Sequence, residues 1–150
     1  MNRITEPLQQ HHKHCDRDFS AAEERLRQGD WEGGATAFRV LRKDLETHFG
    51  VEEDLLFPAF EHHSGQRNGP TRVMCNEHVQ MRGLLWQIDD AIAARDADDC
   101  LGSLETLLIL MQQHNIKEEN ILYTMCESAL AGTDDTLAAE IGAGLALPAP

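Results

Sequence analysis

The sequence predicts an all-α protein, an antiparallel up-down-up-down four-helix bundle built from two repeated helical hairpins. Three observations carry this. One stretch occurs twice, as His48-Phe49-Gly50-Val51-Glu52-Glu53-Asp54-Leu55-Leu56-Phe57-Pro58 and as His114-Asn115-Ile116-Lys117-Glu118-Glu119-Asn120-Ile121-Leu122-Tyr123-Thr124. The 66-residue offset between the copies also pairs His12 with His78, Cys15 with Met81, Phe19 with Leu85, Leu41 with Leu107 and Leu45 with Met111. Aromatic residues make up only 5% of the chain, and its aliphatics are mostly Leu and Ala, which favours helices over sheets.

The first helix is expected from about Thr5 to Gln28, with Pro7 tolerated in its first turn. Its apolar seam is Leu8, His12, Cys15, Phe19, Ala22 and Leu26, and Gly29-Asp30 is a stop followed by a cap. The second runs from Trp31 to about His63 along Phe38, Leu41, Leu45, His48, Glu52, Leu55 and Ala59. Gly33-Gly34 weakens its start, and Pro58 is expected to kink it near the end. The Ser64–Pro70 segment is rich in turn residues and joins the two halves.

The third helix is expected from Thr71 to Arg95 along Met74, His78, Met81, Leu85, Ile88 and Ile92. The fourth runs from Asp98 to about Leu130 along Leu104, Leu107, Met111, His114, Glu118, Ile121 and Met125. These elements make one unit over residues 1–132. Residues 133–150 form an extension, with a short helix over Asp134 to Ile141 and a frayed tail from Leu145.

The seams carry six polar residues: His12, His48, Glu52, His78, His114 and Glu118. His12 to His48 and His78 to His114 are both 36 residues apart, so in antiparallel hairpins all four histidines reach one level. A single seam histidine is explained by a hydrogen bond. Six such groups at one level, unpaired, would each cost several kcal/mol, on the order of a desolvated polar or charged group. A pair of metal ions removes that cost by ligation.

Each ion then takes two histidines, with Glu52 and Glu118 shared and a solvent oxo or hydroxo group completing the bridge. This donor set suits two iron ions, with zinc or manganese as alternatives. His11 could replace His12, and His14 falls off the seam and reads as exposed. Glu53 and Glu119 are one residue off the seam, solvated or bonded to the ligands from outside. Cys15, one turn from His12, reads as a packing residue or as a thiol within reach of the metals. Arg82 lies four residues past His78 and maps onto Asp16, which suggests an ion pair between them at the rim of the site.

The net charge of -13 argues against nucleic acid and against anionic membrane surfaces. No apolar run reaches the ~20 residues of a membrane span. The first residues have no signal-peptide pattern, and the four cysteines form no C-x-x-C pair, so a reducing, cytoplasmic setting is expected.

His48-x-x-x-Glu52-Glu53 with Leu56-Phe57-Pro58, Glu77-His78 with Arg82, and His114-x-x-x-Glu118-Glu119 with Leu122-Tyr123 resemble the hemerythrin-like, or HHE cation-binding, family. The resemblance implies a carboxylate-bridged non-haem di-iron centre. His12, His48, His78 and His114 would be its terminal ligands, and Glu52 and Glu118 its bridges. Oxygen-carrying hemerythrins place a histidine where Arg82 stands and use His-x4-Asp in place of His114-x3-Glu118. This chain should therefore have a more symmetric, more open site.

The expected role is a binding protein for dioxygen, nitric oxide or peroxide, in sensing, storage or protection. A di-iron enzyme (a peroxidase, or one handling nitric oxide) is the alternative, assisted by Cys15 or Arg82 beside the cofactor. Iron storage or donation, including iron–sulfur repair, is a third. A redox partner fits any of them.

Overall fold

The computed structural model describes residues 4–133 and 136–146, and over these the protein is all-helical. Among the described residues there are five helices, the four expected long ones and the expected short one at the end. Helix α1 spans Glu6–Arg27. Helix α2 starts as Trp31–Val51, passes through a π-helical turn at Glu52–Leu56 and ends as Phe57–Ser64. Helix α3 spans Pro70–Ala94. Helix α4 repeats the plan of α2: Ala97–Lys117, a π-helical turn at Glu118–Leu122, then Tyr123–Ala129. Helix α5 is Thr136–Leu145.

Local chemistry sets the ends. Asp30 caps α2 by accepting from the Gly33 amide, and Asp96 caps α4 by accepting from the Asp99 amide. Gly65 ends α2 in the left-handed region, where a residue without Cβ is unstrained. Gly34 serves packing: a Cβ there would lie 2.4 Å from Leu26 Cδ2, so its absence lets α2 approach α1.

Helix α1 packs along α2 and α3 along α4; α1 also meets α4, and α2 meets α3. Helix α5 lies on α1 and α2, burying Ile141 and Leu145. Leu145 therefore closes a packed helix and does not begin a frayed tail. Asp134, the expected start of the last helix, and residues 147–150 lie outside the described residues.

The interior holds two apolar clusters. One gathers Cys15, Phe19, Leu41, Leu45, Met81, Leu85, Leu107 and Met111. The other gathers Leu8, Leu56, Phe57, Phe60, Met74, Leu122, Tyr123 and Ile141. On every long helix the polar seam residues fall between the two sets. His12 separates Leu8 from Cys15, and His78 separates Met74 from Met81. The polar groups thus form a layer closed off above and below by apolar side chains.

The expected seams of α1 and α3 are buried throughout, and those of α2 and α4 are buried up to this layer, then shift by one residue. Leu56, Phe57 and Phe60 are buried where Leu55 and Ala59 were expected. In α4, Leu122, Tyr123 and Cys126 are buried, while Ile121 is 56% exposed. The two π-helical turns are the cause. Each closes with an i to i+5 bond, Phe57 N–H to the Glu52 carbonyl and Tyr123 N–H to the Glu118 carbonyl, and accommodates one extra residue. Pro58 is not the cause, because the same turn forms where Thr124 replaces it.

The start of α1 has no cap from its own N-cap residue, Thr5. Instead Glu127 of α4 accepts from the amides of Ile4 and Thr5 and from the Thr5 hydroxyl, the last two at 2.8 Å. Glu127→Ala should therefore lower stability by about 1–2 kcal/mol, the range for loss of a helix cap. Urea unfolding measures this, and an unchanged midpoint would show that the contact contributes nothing.

Candidate metal centre

The π-helical turns begin at Glu52 and Glu118, each one turn after a histidine, so each glutamate enters the interior from the point where its helix is locally widened. Both glutamates and His78 are fully buried, and His12, His48 and His114 are at most 4% exposed. The six residues meet. His12 Nε2 is 3.0 Å from Glu118 Oε1, His78 Nε2 is 3.1 Å from Glu52 Oε1, and His114 Nε2 is 3.3 Å from Glu118 Oε1. His48 Nε2 lies 3.6 Å from Glu52 Oε1.

Each imidazole is also held from outside by its other nitrogen. His12 Nδ1 meets Glu119 at 2.7 Å, His78 Nδ1 meets Glu53 at 2.7 Å and His114 Nδ1 meets Glu77 at 2.8 Å. His48 Nδ1 meets His11 Nδ1 at 3.0 Å. A proton on each Nδ1 satisfies these outer contacts and leaves each Nε2 lone pair facing the two glutamates. That is how metal-ligating histidines are oriented and made more basic.

The donor atoms fall into two groups whose members all lie within 4.8 Å of one another: Glu52, His78, His114 and Glu118, and His12, His48 and Glu118. Two buried atoms of the set, His114 Nε2 and Glu118 Oε2, have no hydrogen-bond partner. Nitrogen and oxygen donors left unpaired at full burial fit a cation.

Burial alone would lower the pKa values of His48 and His114, but Glu52 and Glu118 raise both to about 9. Burial likewise opposes His12, whose value is raised on balance by Glu118 and Glu119. Burial would raise Glu118, yet its bond with Glu52 and the facing imidazoles hold it well below the usual carboxylate range.

Tyr123 is the residue that sequence reasoning missed. It is the only tyrosine in the chain and stands at the repeat position of Phe57. Its hydroxyl donates to Glu52 Oε2 at 2.8 Å and lies 3.1 Å from Glu118 Oε1. It is 3.3 and 3.4 Å from the Nε2 atoms of His12 and His48. Burial and the two carboxylates push its pKa well above the ordinary phenol value, so it remains a donor. The mismatch with Phe57 was the signal that could have found it.

The flanking residues sort differently from expectation. Arg82 turns to α2, bonding Glu46 and Glu53 at 3.0 Å, and forms no pair with Asp16, which is exposed. It reaches the centre through Glu53, the outer partner of His78, and through the Phe49 ring, which it overlies at 5.2 Å and which packs on His78. Cys15 Sγ lies 3.7 Å from His11 Nδ1, and burial with nearby Asp18, Asp44 and Asp16 raises its pKa, keeping it a thiol. His14 is half-buried, with Nε2 2.9 Å from Asp44 and 3.5 Å from Asp18. His11 is 4% exposed; besides its contact with His48, it lines a cavity of about 380 Å³ with His14 and Arg17.

No curated protein and no solved structure matches the chain. A family model does match: the hemerythrin HHE cation-binding domain, over residues 3–126. That span contains the whole His/Glu layer and both π-helical turns. The chain therefore belongs to the hemerythrin HHE cation-binding domain family.

Proposed function

We propose that the protein is a non-haem di-iron binding protein that takes up dioxygen, nitric oxide or peroxide for sensing, storage or protection. Its four long helices act as an up-down-up-down bundle of two hairpins over residues 1–132, with the following residues as an extension. The observation that carries this reading is the orientation of the histidines. All four hold Nδ1 outward and aim Nε2 at two buried glutamates. His12 and His48 would hold one ion and His78 and His114 the other, with Glu118 common to both groups and Glu52 beside it. Nitrogen with carboxylate oxygen suits iron, and zinc or manganese less well.

A bound iron pair supplies electrons and an open coordination position. The chain supplies the rest. The apolar clusters above and below the layer exclude water. Arg82 and Lys117 neutralise Glu53 and Glu77 behind His78 and His114. Tyr123 holds a proton at Oη, within reach of the carboxylates and of the His12/His48 pair. Four free cysteines fit a reducing, cytoplasmic setting.

Tyr123 also favours a second reading, a di-iron enzyme that handles peroxide or nitric oxide over many turnovers, with a redox partner as the electron donor. The buried phenol is a hydrogen-bond donor in place, 2.8 Å from Glu52 Oε2. Under this reading, Tyr123→Phe lowers peroxide turnover while leaving metal content intact. Under the binding reading, the wild type takes up the ligand once and does not turn over.

Metal analysis with an optical spectrum under air and under nitric oxide tests the proposal. Two iron ions per chain and a spectrum that changes with nitric oxide are expected. One ion, or a spectrum indifferent to both gases, would contradict it. Iron passing to an apo acceptor protein would instead select the donation role.

The pKa values add a sign. In the metal-free protein His48 and His114 carry protons up to about 9. A cation must displace them, so metal affinity should rise from neutral pH to about 9 and then level, with protons released on loading. The protonated pair stabilises the metal-free fold fully below the ordinary value of 6.5 and loses that effect as pH rises through about 9. The two trends therefore oppose each other. Calorimetry in buffers of different ionisation enthalpy reads the proton release, and none at neutral pH would exclude these imidazoles as ligands.

A further inference from the structure

Building on the dinuclear reading above, we infer that His11 is the positioning residue for His48 and makes the His12/His48 half the weaker, exchangeable half of the centre. The 66-residue repeat exposes the point. Three outer partners obey the repeat or mirror it with a carboxylate: Glu53 on His78, Glu119 on His12 and Glu77 on His114. Glu53 and Glu119 are repeat mates. The repeat mate of Glu77 is His11, and His11 sits where the symmetry calls for it, on the Nδ1 of His48. One outer carboxylate of four has been replaced by an imidazole.

The contact is built. His11 is 4% exposed, its ring lies within 15° of parallel to that of His48 with centroids 5.1 Å apart, and the two rings meet edge to edge, their Nδ1 atoms 3.0 Å apart. With the His48 Nε2 lone pair facing inward, His48 Nδ1–H is the donor and His11 Nδ1 the acceptor. An acceptor nitrogen bears no proton, so His11 is neutral in this contact, with its own proton on Nε2. That atom is buried and has no hydrogen-bond partner. A carboxylate partner makes an imidazole a stronger donor to a cation; a neutral imidazole does so less.

The outer carboxylates differ in rigidity as well. Glu53 is clamped by Arg82 and Glu77 by Lys117, so His78 and His114 are fixed from behind by carboxylate–cation pairs. Glu119 forms its ion pair with His12 alone among the described residues, and its side chain is 38% exposed. It borders a cavity of about 430 Å³ next to His12, and His11 borders the cavity of about 380 Å³. The His12/His48 half also gathers three ligand-type residues within 4.8 Å of one another against four in the other. All three differences run in the same direction.

Stepwise loading of the full chain with cobalt(II), followed optically and by metal analysis, tests the inference. The wild type should load in two steps, with the second at least about tenfold weaker, the lower end of what outer partners contribute to metal affinity. His11→Ala should weaken the second step alone by about 10- to 100-fold. His11→Gln, whose amide oxygen accepts from His48 Nδ1–H, should restore it. His11→Glu should draw the two steps together. Anomalous diffraction at one equivalent should place the first ion at His78 and His114.

Equal steps in the wild type would overturn the inference, as would equal shifts of both steps in His11→Ala, or a first ion at His12 and His48. If His11→Glu does not fold, the Ala and Gln pair decides. Failure of the wild type to take up two buried ions would instead refute the dinuclear reading on which this rests.

Discussion

Everything in this structure is arranged around burying four imidazoles and two carboxylates at one level between two apolar clusters. Such groups cannot be left to water, and unpaired they would each cost several kcal/mol, on the order of a desolvated polar group. The chain meets the constraint from both sides. Outside, Glu53, Glu77, Glu119 and His11 take the Nδ1 positions. Inside, Tyr123 and the glutamates take most of the Nε2 contacts, yet His114 Nε2 and Glu118 Oε2 form no hydrogen bond. A polar network satisfied only in part is costly, and a cation of the right size would complete this one.

The π-helical turns show how backbone geometry serves that layer. An unbroken α-helix would have carried the seam from Glu52 to Leu55 and from Glu118 to Ile121. Widening the helix by one residue instead turns Leu56 and Phe57, and Leu122 and Tyr123, into the interior. In α2 the aromatic is Phe57, whose ring stacks near His78. In α4 the equivalent residue is Tyr123, and the added hydroxyl places a donor among the ligands. Two halves with one backbone plan thus differ in chemistry through single side chains, Tyr123 against Phe57 and His11 against Glu77.

The sequence made the layer legible because spacing and repetition do not depend on packing detail. His-x-x-x-Glu at helical spacing, the 36-residue intervals and the 66-residue offset were enough to select all six inward residues. The seams failed where the π-helical turns begin, since an α-helical period assumes 3.6 residues per turn throughout. His11 was set aside because its seam neighbour matched the offset better, although its own offset mate, Glu77, was a usable signal. The same offset points Arg82 toward Asp16. Its choice of Glu46 and Glu53 depends on which helix lies closer, and the offset alone does not fix that. The fifth helix escaped in its extent, because Leu145 became interior only once α5 lay on α1 and α2.

The central claim is that this layer exists to hold metal, and thermal unfolding of the stripped and the metal-loaded protein tests it most directly. A cation bound only by the native state, at about a hundred times its dissociation constant, adds about 2.7 kcal/mol. The account predicts that the loaded protein melts well above the stripped one and that the difference grows with free metal. Equal melting temperatures at saturating metal would contradict it and would leave the six residues as a hydrogen-bonded polar layer.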